Sequence, residues 1–192
     1  AMMGINYFFQ QKYEQATKSQ EQALAIAREI NNKPLEANIL VLMAGNYASL
    51  NKRDRSIKLY QQALAIQREL KNPSAKAEIL NSLLQQYSIK AMNLSEKGLS
   101  AQAKVEYNRI IELAEETLTH ARELKDKNVE ASALAQLGRA YFFFKDYEKA
   151  TQLLEQAVSI ARAINDLETE SNALSTLASI YTFQGKRSEY IK

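Results

Sequence analysis

The chain has no cysteine and no tryptophan, a single histidine, two prolines and five glycines in 192 residues. Without cysteine there is no disulfide framework, no thiolate nucleophile and no soft-metal ligand set, and the redox compartment stays open. The scarcity of Gly and Pro removes the strongest helix breakers from a sequence rich in Ala, Leu, Glu, Gln and Lys, so helix propensity is high almost throughout. No apolar run approaches the roughly 18 residues of a membrane span. The opening Ala1-Met2-Met3 lacks the basic-then-apolar layout of a signal peptide, and Ala1-Met2 resembles the remnant of an expression tag. A net charge of +3 and a pI near 8.9 leave only a small basic excess. The signs are interspersed, which describes a solvated mixed surface and not a polyanion-binding field. A cytoplasmic location is expected, and the length suffices to bury a core as one domain.

What the chain does have is internal repetition. The segment Glu21–Ile30, EQALAIAREI, recurs as QQALAIQREL at 61–70 and EQAVSIARAI at 155–164, with a weaker copy, EETLTHAREL, at 115–124. A second unit leads each copy and ends on a tyrosine: Met3 to Tyr7, Met43 to Tyr47, Leu83 to Tyr87, Leu137 to Tyr141 and Leu177 to Tyr181. The tyrosine spacings are 40, 40, 54 and 40. Both units carry helical periodicity: Leu40, Met43 and Tyr47 stand at i, i+3 and i+7, as do Leu134, Leu137 and Tyr141. Gly4, Ala44, Gly138 and Ala178 are small enough for close helix approach. Pro34 and Pro73 suit first turns, with Asn72, Asp54, Asp146 and Asp166 as expected caps. The pattern predicts helices near 11–31, 34–50, 53–71, 73–96, 99–126, 128–144, 147–165 and 167–184, after a partial first copy over Met3 to Phe9.

A Leu-Gly-x-x-Tyr unit, a small residue nine positions after the Tyr (Ala16, Ser56, Ala150) and then an Ala (Ala23, Ala63, Ala157) resembles the tetratricopeptide repeat, and the resemblance covers essentially the whole chain. Leu40, Leu80, Leu134 and Leu174 stand where that family's early Trp is usual. The 40-residue period is similar to that of kinesin light chain and of bacterial, cyanobacterial-type multidomain arrays. The resemblance implies an all-α, right-handed superhelix (an α-solenoid) of antiparallel hairpins. Its expected repeats are about 1–33 (partial), 34–72, 73–126 with a 14-residue insertion, 127–166 and 167–192 (partial), in one domain. A single hairpin cannot bury its apolar face, and stacking does. The two partial copies predict a fragment of a longer protein; the alternative at the end is a capping helix over 167–184, wetted by Ser171, Ser175, Ser179 and Thr182.

Chemistry-bearing residues are few. His120 aligns with Ile26, Ile66 and Ile160, so it reads as a partly buried structural residue. Glu115-Glu116 and Glu168/Glu170 are neighbours in sequence that do not face each other on a helix. There is no Gly-rich phosphate loop, G-x-S-x-G or H-E-x-x-H. Lys and Arg lack the aromatic interleaving of single-strand nucleic-acid binders. The expectation is therefore no enzyme, no cofactor, no metal, no nucleic acid and no membrane partner.

In the family it resembles, the first helix of each hairpin lines a concave groove. Carried over, the groove positions are Asn38, Val41, Leu42 and Gly45; Glu78, Asn81, Ser82 and Gln85; Ser132, Ala135, Gln136 and Arg139; and Asn172, Ser175, Thr176 and Ser179. Amide and hydroxyl groups there can bond the backbone of an extended ligand. No Lys occupies these places, against the Lys-and-Asn clamp that chaperone-type members use for a terminal carboxylate. Phe142 and Phe143, with Phe8 and Phe183 in similar places, are expected either as partner anchors or as packing between hairpins, and Phe144 as packing. The leading expectation is a scaffold that binds a protein or peptide through Asn38, Asn81, Gln85, Gln136, Arg139, Phe142, Phe143, Asn172 and Ser175. The alternative is an assembly or regulatory module that orients attached domains or self-associates through its ends. The 14 extra residues of the third copy, close to four helical turns, predict two lengthened helices meeting at a turn over Glu96 to Leu99, with Met92 against Leu99 or Ala103.

Overall fold

High helix propensity interrupted by short polar turns gives eight α-helices among the described residues: α1 (Met2–Glu29), α2 (Lys33–Ser49), α3 (Arg53–Glu69), α4 (Pro73–Glu96), α5 (Ser100–Leu124), α6 (Lys127–Phe143), α7 (Tyr147–Ile164) and α8 (Leu167–Phe183). The computed structural model describes residues 2–185, with side chains from residue 12. Expectations resting on the side chains of Met3, Gly4, Tyr7 and Phe8, or on residues from Lys186 onward, lie outside the described residues. The fold class is all-α, built of helical hairpins, and no strand occurs among the described residues.

Every described inter-helix turn is made in one way. A single residue takes a left-handed conformation: Asn31, Asn51, Lys71, Gly98, Lys125, Lys145 and Asn165, with φ between 53° and 72°. The next residue donates its N–H to the carbonyl five positions back, as Asn32 does to Ala27 at 2.9 Å, Lys52 to Tyr47 at 2.8 Å and Asp166 to Ala161 at 2.9 Å. This closes the preceding helix as a Schellman motif. That same residue then caps the following helix: Asn32, Asn72, Asp126, Asp146 and Asp166 each accept the N–H three positions on, at 3.1–3.2 Å. Asp54 is a correction, since the cap position of α3 is Lys52 and Asp54 stands in the first turn, where its charge still favours the helix dipole.

A second correction concerns the first copy. The sequence pattern breaks the chain between Phe9 and residue 11, whereas α1 runs unbroken from Met2 to Glu29. Gln11 stands where Asn51 and Lys145 take the left-handed conformation, and Lys12 where Asp146 caps. Asn51 tolerates positive φ and Lys145 is followed by a capping Asp; Gln11-Lys12 has neither advantage, so continuing the helix avoids about 1–2 kcal/mol of left-handed strain.

The chain falls into two compact units, residues 1–86 and 87–192, divided within α4. In the first, α2 packs against both α1 and α3, around Leu40, Ala44, Ala63 and Leu80, all without solvent exposure. In the second, α6 packs on α5, α7 and α8, around Ile110, Leu134, Leu154 and Ile180. There α6 meets α7 at Gly138, where a Cβ would lie 2.7 Å from Leu154 Cγ and 3.3 Å from the Ala150 carbonyl oxygen.

The long third copy resolves into two long helices. α4 has 24 residues and α5 has 25, against 17 in α2, α3 and α6. Each gains about two turns, roughly 10 Å. The turn falls at Lys97–Leu99 with Gly98 at φ 72°. Lys90 of α4 and Arg109 of α5 both reach Glu106 at 3.1 Å, tying the second unit's part of α4 to α5 around a buried carboxylate.

Repeated ion pairs link consecutive hairpins. Arg28 Nε lies 2.8 Å from Glu36, Arg122 Nε 3.0 Å from Glu130 and Arg162 Nε 2.6 Å from Glu170, each pair eight residues apart. In the copy between, the residue eight after Arg68 is Lys76. Hydrogen bonds from Arg28 and Lys33 hold the Glu36 carboxyl below its ordinary 4.5 against the opposing effect of burial, and Lys127 and Arg122 do the same for Glu130.

Two outcomes follow. Gly138→Ala forces a branched, fully buried Leu154 to move, so it destabilises by about 1–2 kcal/mol net of the helix-propensity gain, read by urea unfolding; an unchanged midpoint counts against the close approach. Carboxylates with lowered folded-state pKa contribute stability that is complete above pH 4.5 and lost as pH falls through their depressed values. The melting temperature of the native chain therefore drops more between pH 5 and pH 3 than that of the Glu36→Gln, Glu130→Gln double variant; parallel curves would refute this.

Candidate functional site

Two cavities lie on faces that the first helices of the hairpins present, one in each unit. The first, about 300 Å³, is lined by Asn38, Val41 and Leu42 of α2, Gln67 of α3, and Ala75, Glu78, Ile79 and Ser82 of α4. The second, about 280 Å³, is lined by Met92 of α4, Tyr107 of α5, Arg139 and Phe142 of α6, and Asn172, Ser175, Thr176 and Ser179 of α8.

Helical spacing builds the second cavity. Asn172, Ser175, Thr176 and Ser179 recur at three- and four-residue intervals on one face of α8. The hydroxyls of Thr176 and Ser179 donate to the carbonyls of Asn172 and Ser175 at 3.1 Å, which leaves their lone pairs toward solvent. Opposite them, Arg139 is half-buried and donates to Met92 Sδ at 3.3 Å. A thioether is a weak acceptor, and among the described residues no carboxylate pairs with this guanidinium. Burial lowers its proton affinity and the Tyr107 phenol partly restores it; an arginine nonetheless stays charged. The cavity thus combines an uncompensated cation, amide and hydroxyl groups, and an aromatic wall.

Among the expected contact residues, Arg139, Phe142, Asn172 and Ser175 come together here, while Asn38 belongs to the first cavity. Asn81, Gln85, Gln136 and Phe143 line neither cavity. Gln136 accepts from the Ser88 hydroxyl at 2.7 Å, and Phe143 stacks on Tyr107 with ring centroids 4.2 Å apart and meets Phe144 edge-on. Phe142 has both characters, lining the cavity and packing 6.0 Å from Phe183 and Tyr147. Met92, expected against Leu99 or Ala103, lines the cavity with Tyr107 of α5 and accepts from Arg139 of α6. Gln67 and Tyr107 lie on second helices, which the groove expectation left out. His120 is part-buried with Nδ1 3.0 Å from Glu123. Among the described residues no three His, Cys, Asp or Glu side chains converge to hold a metal, and no helix is long and apolar enough to cross a membrane.

A sequence model of the tetratricopeptide repeat matches residues 1–69 and 90–163. No curated protein matches the chain. Solved structures do: BtubC (BKLC) from P. vanneervenii at 22% identity, covering 93% of this chain and 69% of that one, with a TM-score of 0.68. A putative kinesin light chain of Podosopora anserina with nearly identical TPR-like repeats is 19% identical over 97% of this chain and 87% of its own, with a TM-score of 0.64. A Rap protein complexed with Competence and Sporulation Factor is 20% identical with a TM-score of 0.62; the chain spans 49% of its length. At such identities the likeness carries the fold.

The unpaired guanidinium has a stability signature. Arg139→Met retains the alkyl packing and removes a half-buried charge that no described carboxylate neutralises, so the melting temperature stays level or rises by a few degrees. A loss beyond about 1 kcal/mol would assign Arg139 a structural partner instead.

Proposed function

Because the chain belongs to the tetratricopeptide repeat family, we propose that it is a protein-interaction scaffold whose cavities hold a peptide or protein segment. The observation that carries this reading is Arg139: a half-buried cation with no carboxylate partner among the described residues, facing the amide and hydroxyl groups of Asn172, Ser175, Thr176 and Ser179. Such a site lacks what a catalytic site needs, namely a nucleophile with a base beside it. It has what recognition needs: a cation for an acidic group, amides and hydroxyls for backbone, and Phe142 and Met92 for an apolar side chain. The segment bound at the second cavity carries a carboxylate that pairs with Arg139. Asn38 serves the first cavity, and Asn81, Gln85, Gln136 and Phe143 stand beyond the cavities as outer contacts. The Rap protein solved with Competence and Sporulation Factor supports the reading as a tetratricopeptide-like fold described with another molecule bound.

The second reading, an assembly module that self-associates, is favoured by Leu167 and Phe183. They are 75% and 71% exposed, the largest values among the large apolar residues described, and they flank α8. Sedimentation of Leu167→Ser, Phe183→Ser beside the native chain separates the two readings.

A photo-crosslinking residue at Ser175 tests the first. Partner capture falls about tenfold or more in Arg139→Ala and in Asn172→Ala, as loss of a charged hydrogen bond requires. Equal capture by both variants would place the binding surface elsewhere.

A further inference from the structure

Residues that depart from their repeat columns occur at both cavities. At the first, Ala75 stands where Leu35, Val129 and Thr169 stand in the other copies, and Glu78 where Asn38, Ser132 and Asn172 stand. Gln67 belongs to a column whose other members, Ala27, Ala121 and Ala161, have no solvent exposure. Its Oε1 has no hydrogen-bond partner among the described residues, but it is sealed from solvent and presents nothing to a ligand. At the second cavity the departure is open to solvent. α2, α6 and α8 end two residues after their tyrosines, at Ser49, Phe143 and Phe183, whereas α4 continues past Tyr87 to Glu96. Met92 lies in that extra length, where the other copies have already turned, so the packing problem that the copies share asks for no side chain there.

Met92 is 39% exposed and lines the cavity, whereas Met43, the other methionine whose side chain is described, is 4% exposed in the core of the first unit. Its thioether touches a cation: Arg139 Nη1 donates to Sδ at 3.3 Å, and this contact is exposed. A thioether accepts only weakly. Adding one oxygen to the sulfur turns the apolar group into a polar one, with an oxygen acceptor that reaches beyond the sulfur.

We propose that Met92 is an oxidative modification site that switches Arg139: a peroxide converts the thioether to the sulfoxide, and the new oxygen takes the guanidinium N–H that a ligand carboxylate would otherwise take. A sulfur lone pair attacks one oxygen of hydrogen peroxide, the S–O bond forms as the O–O bond breaks, and the departing hydroxide takes the proton of the transferred oxygen and leaves as water. Sulfur loses an electron pair and the peroxide gains it. The unbranched, freely rotating Met92 side chain turns the oxygen to Arg139 without backbone movement. A dithiol reverses the change, removing the oxygen as water and becoming a disulfide. The consequence for ligands rests on the carboxylate reading of this cavity; the modification does not, so the two fail separately.

The test treats the whole chain with hydrogen peroxide and follows it by peptide-mapping mass spectrometry and by NMR of 15N-labelled arginine side chains, with Arg139 assigned from the spectrum of Arg139→Ala. Met92 sulfoxide forms well before Met43 sulfoxide, and the Arg139 side-chain N–H signal shifts as it forms. In Met92→Leu the same treatment leaves that signal in place. The proposal falls if Met43 oxidises as fast as Met92, if the Arg139 signal is indifferent to Met92 oxidation, or if it moves equally in Met92→Leu. Titration with Nα-acetyl-aspartate amide, read at the same signal, tests the switch: its dissociation constant rises several-fold on oxidation, and an unchanged constant overturns the proposal. A probe that moves the Arg139 signal in neither form overturns the carboxylate reading of the cavity, and the modification site is then decided by the oxidation measurements alone.

Discussion

The structure depends on one local device, a left-handed residue that closes one helix and hands its successor to the next as a cap. Because the residue after it donates five positions back, and in five of the seven turns also accepts three positions on through its side chain, only two or three residues separate consecutive helices. A connection that short leaves each hairpin little choice of geometry, and apolar faces meet in the same way each time. The requirement falls on few positions. Asn and Gly meet it with little strain; Lys71, Lys125 and Lys145 meet it at some cost, each directly before a capping Asn or Asp that contributes about 1 kcal/mol. Where both are missing, at Gln11-Lys12, the helix does not turn.

This device made most of the fold readable. Tyrosines in register set the phase, Pro and Asx residues marked starts, and the surplus of 14 residues went into α4 and α5 as about two turns each, on either side of Gly98. The candidate site was half legible. Positions on first helices could be carried from one copy to another, which located Asn38, Arg139, Phe142, Asn172 and Ser175. Gln67, Met92 and Tyr107 could not be reached that way. Gln67 sits on a second helix where alignment suggests a packed alanine, and the other two lie in or beside the extension, which has no counterpart to align with. The signal for Gln67 was present as a polar residue in a column of buried alanines, and only the unpaired oxygen gives it meaning.

Electrostatics divides along the same line. Arg28–Glu36, Arg122–Glu130 and Arg162–Glu170 repeat and belong to the packing of one hairpin on the next. Their arginines are exposed, so each pair contributes modestly, although the carboxylates of Glu36 and Glu130 are nearly fully buried and would be costly without them. Arg139 and Glu78 do not repeat. They have no ion-pair partner among the described residues, and each lines a cavity.

In a repeat protein the residues that recur are those that every interface needs, since each copy solves the same packing problem. A residue that departs from its column is released from that problem or works against it. Ala75, Gln67 and Glu78 depart together, and they converge on one cavity. Each alone would be an ordinary substitution: a smaller side chain, a buried amide, a surface charge. Together they shorten one side chain, bury an amide whose oxygen has no partner and add an exposed charge, while the one large apolar residue exposed there, Leu42, stays uncovered. Stability accounts for none of the three, because a cavity, an unpaired acceptor and a lone carboxylate each leave the folded chain no better off.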